Sequence, residues 1–179
     1  VQFRLRPLAV PAAASLADAR TFGGIALFEA RAKAADQRFV LDDGWFHGRH
    51  HDRAALGDWW PDERKFPHGL DDLVAHVNQL GMEFGIWFEP EMVNPDSDLY
   101  RAHPDWALQL DGRPMLTARN QLVLDISRRE ASNNLYKKIS ALLQALPIRY
   151  IKWDHNRDLT TAGLSNGLPG YRVQVLAAY

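Results

Sequence analysis

The chain has no cysteine among its 179 residues. That excludes disulfides and thiolate metal sites, and it leaves the redox compartment undetermined. No apolar run approaches the roughly 20 residues of a membrane-spanning helix. Internal repeats and low-complexity linkers are also missing. Charge of one sign is scarce too: 21 Lys and Arg stand against 22 Asp and Glu, a formal net charge of −1. Neither nucleic acid nor an anionic membrane surface is therefore an expected partner. Residues 1–19 carry two arginines and an alanine-rich stretch but no apolar core with a cleavage site. They do not read as a signal peptide. No glycine-rich phosphate loop follows any expected strand, which argues against nucleotide binding.

What is present is an alternation of β and α patterns. Residues 1–27 hold no persistent period, and 27–37 look helical. Residues 38–43 read as a strand through Phe39, Val40 and Leu41, ending in Asp42-Asp43-Gly44-Trp45. A long loop over 46–68 is rich in His, Asp, Trp and Pro. Residues 69–80 read as a helix with Asp71 and Asp72 in its first turn and Gly81 as its stop. A second strand over 84–88 runs into Glu89-Pro90-Glu91. A short helix is expected after Pro95, capped by Asn94 or Asp96. A hairpin over 107–115 should turn at Asp111-Gly112. A short strand is expected over 122–126, and the longest helix over 129–146, stopped by Pro147. A third strand comes next, then a glycine-containing loop and a helical start at Pro169.

Strands alternating with helices imply parallel pairing. The third strand ends in Lys152-Trp153-Asp154-His155-Asn156-Arg157. Charged and aromatic residues close all three strands, and several strand ends contributing to one site is the habit of a (β/α) barrel. The expected fold class is thus α/β, a partial (β/α)8 TIM barrel. A complete barrel takes about 250 residues, and three to four βα units can be counted here. Asp154, at a strand's carboxyl end, is the candidate nucleophile. Its bland alternative is a cap on the next segment.

Seven ordered motifs sharpen this reading. They are Phe39-Val40-Leu41-Asp42-Asp43-Gly44-Trp45-Phe46, Leu56-Gly57-Asp58-Trp59 and Lys65-Phe66-Pro67-His68-Gly69-Leu70. Next come Gly85-Ile86-Trp87-Phe88-Glu89-Pro90-Glu91-Met92-Val93 and Asp96-Ser97-Asp98-Leu99-Tyr100. The last two are Arg119-Asn120-Gln121-Leu122-Val123-Leu124-Asp125 and the segment around Asp154. From about Phe28 to the end, the chain resembles the catalytic barrel of glycoside hydrolase family 36, the α-galactosidases. Residues 1–27 do not share the likeness and stay unassigned, leaving 28–179 as a partial barrel domain truncated at its carboxyl end.

The resemblance implies a retaining α-galactosidase acting on raffinose-type oligosaccharides without a cofactor or metal. It makes Asp154 the nucleophile of a covalent galactosyl-enzyme. Asp42 and Asp43 would clamp galactose hydroxyls, and Trp87 would stack on the apolar sugar face, unless it simply fills the core. Lys152, Arg119 and Asn156 would contact substrate. Lys152 lies two positions before Asp154 and so on the same side of the strand. Arg119 could instead pair with Asp125 or Glu91, and Asn156 could be an ordinary turn residue. Trp45, Asp58 and Trp59 would shape the pocket rim. Glu89 and Glu91 read as supporting acids. The family's acid/base has no counterpart motif in this chain. Intact relatives commonly add β domains at both ends and form homo-oligomers.

Two rival readings remain from sequence. His47, His50, His51 and Asp52 could ligate Zn²⁺ in a metal-dependent barrel hydrolase, although their spacing fits no recognised site. The chain could also be a non-catalytic galactose-binding fragment. Galactosyl transfer through the same covalent intermediate is a variant of the main reading.

Overall fold

The computed structural model describes residues 38–109 and 114–157, together with the backbone of strands β1 (Ala19–Phe22) and β2 (Ile25–Phe28). These two strands pair antiparallel, Ala19 opposite Phe28 and Phe22 opposite Ile25. The helix expected from residue 27 is thus corrected at its first two positions, which end β2. Its remainder, the Asp111-Gly112 turn and the helical start at Pro169 lie outside the described residues.

The body of the fold is a parallel sheet of β3 (Arg38–Leu41), β5 (Glu83–Phe88) and β8 (Ile148–Trp153), in the order β3-β5-β8. Helix α1 (Asp71–Gln79) joins the first pair of strands and α3 (Arg129–Ala145) precedes the third. Central β5 is buried from Phe84 to Phe88, the near-continuous apolar run that a doubly covered parallel strand requires. Its exposed first residue, Glu83, takes Arg38 of β3 at 2.6 Å. Gly85 lets the neighbouring strand close in, since a Cβ there would lie 3.0 Å from the Tyr150 ring. Leu73, Val74 and Val77 of α1 are buried, as are Ala131, Leu135 and Ile139 of α3, the i, i+3/i+4 spacing of an amphipathic face.

Several boundaries move for local reasons. Residues 67–70 form a short strand, β4 (Pro67–Leu70), so α1 starts two residues late. The short helix is α2 (Asp98–Ala102), and its cap is Ser97, whose hydroxyl accepts the Tyr100 N–H at 3.0 Å. Neither Asn94 nor Asp96 caps it. Strands β6 (Met92–Val93) and β7 (Leu122–Val123) pair antiparallel, and Ala107 pairs with Leu124 rather than within a local hairpin.

The polar-looking loop after β3 is the largest surprise. It folds inward around Trp45, Phe46, Leu56 and Trp59, each no more than 1% exposed. Phe46 and Trp59 rings sit 4.6 Å apart, and Trp45 meets Phe88 edge-on at 5.4 Å. Burying one such tryptophan contributes about 4–6 kcal/mol as an upper bound. This aromatic mass packs on the carboxyl-terminal half of β5, through Trp87 and Phe88, and braces the loop that leaves it. Trp45, Asp58 and Trp59 are accordingly scaffold, not pocket rim. The two Asp58 oxygens accept the Asp98 and Leu99 N–H groups at 2.7 and 2.9 Å.

Gly57 marks the tightest point of this loop. Its φ is +112°, and an added Cβ would lie 2.8 Å from Leu99 Cδ2. Gly57→Ala is expected to destabilise the fold by about 2–4 kcal/mol, from backbone strain plus overpacking. A urea-denaturation midpoint equal to wild type would refute that crowding.

Candidate active site

Parallel pairing places Trp87 opposite Lys152 and Phe88 opposite Trp153. One residue further, the Asp154 N–H donates to the Phe88 carbonyl at 2.8 Å. The strand thus ends by delivering a half-buried carboxylate beside the end of β5. Trp87 Nε1 and Asn156 Nδ2 donate to its Oδ2 at 2.9 and 2.8 Å, and the His155 N–H donates to Oδ1 at 3.0 Å. Burial pushes the Asp154 pKa up, but these donors and the Lys152 charge outweigh it and hold the carboxyl below its ordinary 3.8. The result is a carboxylate ionised throughout the neutral range and pointed out of a strand end, the state a nucleophile needs.

Glu89 lies behind it, 1% exposed. It accepts the Asn156 N–H at 2.8 Å and Gln121 Nε2 at 3.0 Å. Burial raises its pKa, against the Asn156 hydrogen bonds, and the Asp154 charge adds to the rise while Arg119 opposes it. Two neighbouring carboxyls are thereby pushed in opposite directions.

The adjacent acids after β3 diverge, as strand alternation demands. Asp42 turns to Lys152, whose ammonium donates at 2.8 Å. Asp43 receives both prongs of Arg49, Nε at 2.9 Å and a terminal nitrogen at 2.8 Å. Asp42, Lys152, Trp87, Asp154 and Asn156 are therefore linked at the strand ends, with Asp43 alongside. Arg119 is exposed and acts electrostatically on Glu89. Its suggested partners are engaged elsewhere: Trp153 Nε1 donates to Glu91 at 3.1 Å, and Ser127 donates to Asp125.

The chain belongs to the Melibiase family. That family's model matches residues 19–179. An α-galactosidase of Escherichia coli is 54% identical over 135 residues, covering 75% of this chain and 19% of the relative. The solved GH36 α-galactosidase AgaB of Geobacillus stearothermophilus superposes with a TM-score of 0.75 at 49% identity, over 80% of this chain and 20% of that one. A variant of AgaA from the same organism, solved in complex with raffinose, gives 0.70 at 51% identity, over 79% and 20%. This chain thus spans about a fifth of the length of the relatives it matches. These relatives are TIM-barrel glycoside hydrolases, and the parallel sheet agrees with that architecture.

Within this Melibiase-family chain the Trp87 expectation is corrected, and the rival histidine cluster finds no support. Trp87 is 2% exposed, with Phe46 stacked on it at 6.2 Å and Trp59 edge-on at 6.1 Å. It offers the site its indole N–H, not an open stacking face. The histidines do not converge: His47 faces Asp98 at 3.5 Å, His50 faces Asp62 at 3.9 Å, and His51 accepts the Arg53 N–H. Among the described residues no three His, Asp or Glu side chains form a metal-sized group. Sequence reasoning missed Arg49 and passed over Asn94 as anything but a helix cap. No sequence signal marked either, because the burial of Arg49 and Asn94 follows from the inward fold of a loop that reads as polar.

Trp87→Phe keeps an aromatic ring, gives up some buried volume and deletes one donor to Asp154. Its expected effect is a higher Asp154 titration midpoint, followed by carbon-13 NMR of labelled aspartate. An unmoved midpoint would show that the indole N–H does not sustain the ionised state.

Proposed function

We propose that this chain carries the nucleophile half of a retaining α-galactosidase. The observation that bears the proposal is the Asp154 carboxylate: three donors converge on it, Lys152 lies nearby, and its pKa is held low. An ionised Asp154 oxygen attacks the anomeric carbon of a terminal α-galactosyl group. The glycosidic C–O bond breaks, and its electron pair leaves with the aglycone oxygen, which takes a proton from a general acid. Water then attacks the anomeric carbon, giving its proton to the same group now acting as base; the galactosyl–Asp154 C–O bond breaks, releasing galactose and restoring the carboxylate. The raffinose complex of AgaA supports raffinose-type oligosaccharides as the substrate class.

Asp42, Asp43, Lys152, Arg119 and Asn156 are the proposed galactose contacts, with Trp87 acting through its N–H. We assign the general acid to none of these residues, because retention requires a second carboxyl about 5–5.5 Å from the nucleophile in the role of proton donor. Glu89 is near enough to interact with Asp154, but it is buried and committed to Asn156 and Gln121. The parallel sheet is read as an arc of a (β/α)8 barrel comprising three to four βα units, and the parent enzyme as a homo-oligomer. Sugar binding without turnover is the second reading, supported by Glu89, which interacts with Asp154 yet is held by Asn156 and Gln121.

A fluorinated galactosyl donor with a very good leaving group needs no acid, so it isolates the nucleophile. The 179-residue chain is expected to gain the mass of one fluorogalactosyl unit, and Asp154→Ala to gain none. Raffinose turnover by the same chain should be weak or absent. Labelling that persists in Asp154→Ala would remove the nucleophile assignment, and brisk raffinose hydrolysis would show that these residues include the acid.

A further inference from the structure

Arg119 sits in a turn that its own sequence does not favour. Arg119 and Asn120 have φ of 53° and 60°, both left-handed, between Ala118 and Gln121, which pair antiparallel. The Gln121 N–H donates to the Ala118 carbonyl at 3.0 Å and the Ala118 N–H returns to Gln121 at 3.2 Å. This is the backbone of a type I′ hairpin turn, which normally draws Asn-Gly or Gly-Gly because both central residues need positive φ. Here an arginine and an asparagine bear the strain, and no glycine relieves it. Such a turn persists only where its surroundings hold it.

The hold comes from beneath. Asn94 has no exposed surface, and its Nδ2 donates to the Asn120 carbonyl at 2.7 Å. Its Oδ1 accepts the Leu56 N–H at 2.8 Å and an Arg49 terminal nitrogen at 3.3 Å. Arg49 is itself 5% exposed. That same nitrogen donates to the Ala54 carbonyl at 2.7 Å, while the remaining fork closes on both Asp43 oxygens. Arg157 adds a second tie, donating to the Gln121 carbonyl at 2.6 Å. An unbroken path of hydrogen bonds therefore runs from Asp43, through buried Arg49 and Asn94, to the Asn120–Gln121 peptide of the turn that carries Arg119.

We infer that Asn94 and Arg49 are positioning residues that brace Asp43 and the Arg119–Asn120 turn as one unit, fixing both polar arms of the sugar site. Neither needs to touch the sugar. The fork fixes the plane of the Asp43 carboxylate while its half-exposed outer edge stays available to a hydroxyl. The Asn94 amide fixes the Asn120–Gln121 peptide, the arm of the turn that follows Arg119, and so limits where the Arg119 backbone can go. A carboxylate and a turn backbone held in this way lose little freedom when a ligand arrives, which lowers the cost of binding. The inference deepens the galactose-site reading and rests on it.

The test uses the full 179-residue chain, with galactose as the probe. Asn94→Ala is expected to speed exchange of the Gln121 amide hydrogen about tenfold and to raise the galactose dissociation constant by about the same factor, the scale of one lost buried hydrogen bond. Adding Asn120→Gly to Asn94→Ala should recover most of both, because glycine takes positive φ without a Cβ clash. Rescue of this kind separates positioning from bulk support of the Leu56 loop, which a glycine in the turn cannot restore. Wild-type exchange at Gln121 in Asn94→Ala, or failure of the glycine rescue, would overturn the inference. A wild-type chain that does not take galactose at all would overturn the functional reading instead, and the exchange rates would still decide whether the brace exists.

Discussion

The rung between the Asp154 N–H and the Phe88 carbonyl, at 2.8 Å, sets the position of everything chemical in this molecule. It extends the β5–β8 ladder one residue past the last paired strand position. A slip of one residue would reverse the face of every side chain on β8, sending Lys152 and Asp154 away from Asp42 and Trp87. The ladder shifts by one residue between Phe84, opposite Ile148, and Gly85, opposite Tyr150; from there on Gly85 admits Tyr150 closely and buried Ile86 and Phe88 hold the register to the strand end. Packing far from the site thus decides where the carboxylate points.

A second layer of control comes from the aromatic loop. The Trp45 indole donates to the Trp87 carbonyl at 2.9 Å, locking the backbone whose own side chain then donates to Asp154. Two tryptophans in series connect the loop core to the carboxylate. Electrostatics complete the arrangement, because each acid near the site has a donor of its own: Asp42 has Lys152, Asp43 has Arg49 and Glu89 has Gln121. Buried or crowded carboxylates are tolerable only on such terms.

Strand ends were the legible part of the sequence. An apolar run that stops at Asp42, Glu89 or Asp154 breaks the pattern that burial requires, so the three parallel strands and their terminal acids could be read directly. The loop core could not, because a segment full of His, Asp and Pro carries its tryptophans at no regular period. Their burial depends on contacts between residues 42 apart in the chain, as with Trp45 and Trp87. Trp87 itself was ambiguous for a chemical reason: indole is both a large apolar face and a hydrogen-bond donor, and only packing selects between them. The turn at Arg119–Asn120 was invisible because it lacks the glycine that announces a two-residue hairpin. The Ser97 cap lies next to Asp96 and close to Asn94, two equally plausible choices, and the core had already claimed the Asn94 amide.

Glu89 and Asp154 titrate apart, one raised by burial and the other lowered by its donors. Acid therefore reaches them in sequence. Glu89 takes up a proton first, which removes a neighbouring negative charge while its remaining oxygen can still accept a hydrogen bond. Asp154 keeps its charge until the medium is more acidic than an ordinary aspartate withstands. Between those two events this carboxyl pair is a single anion where it had been two. A cation brought up to Asp154 would feel that loss of attraction, whereas a neutral polar group would feel little of it.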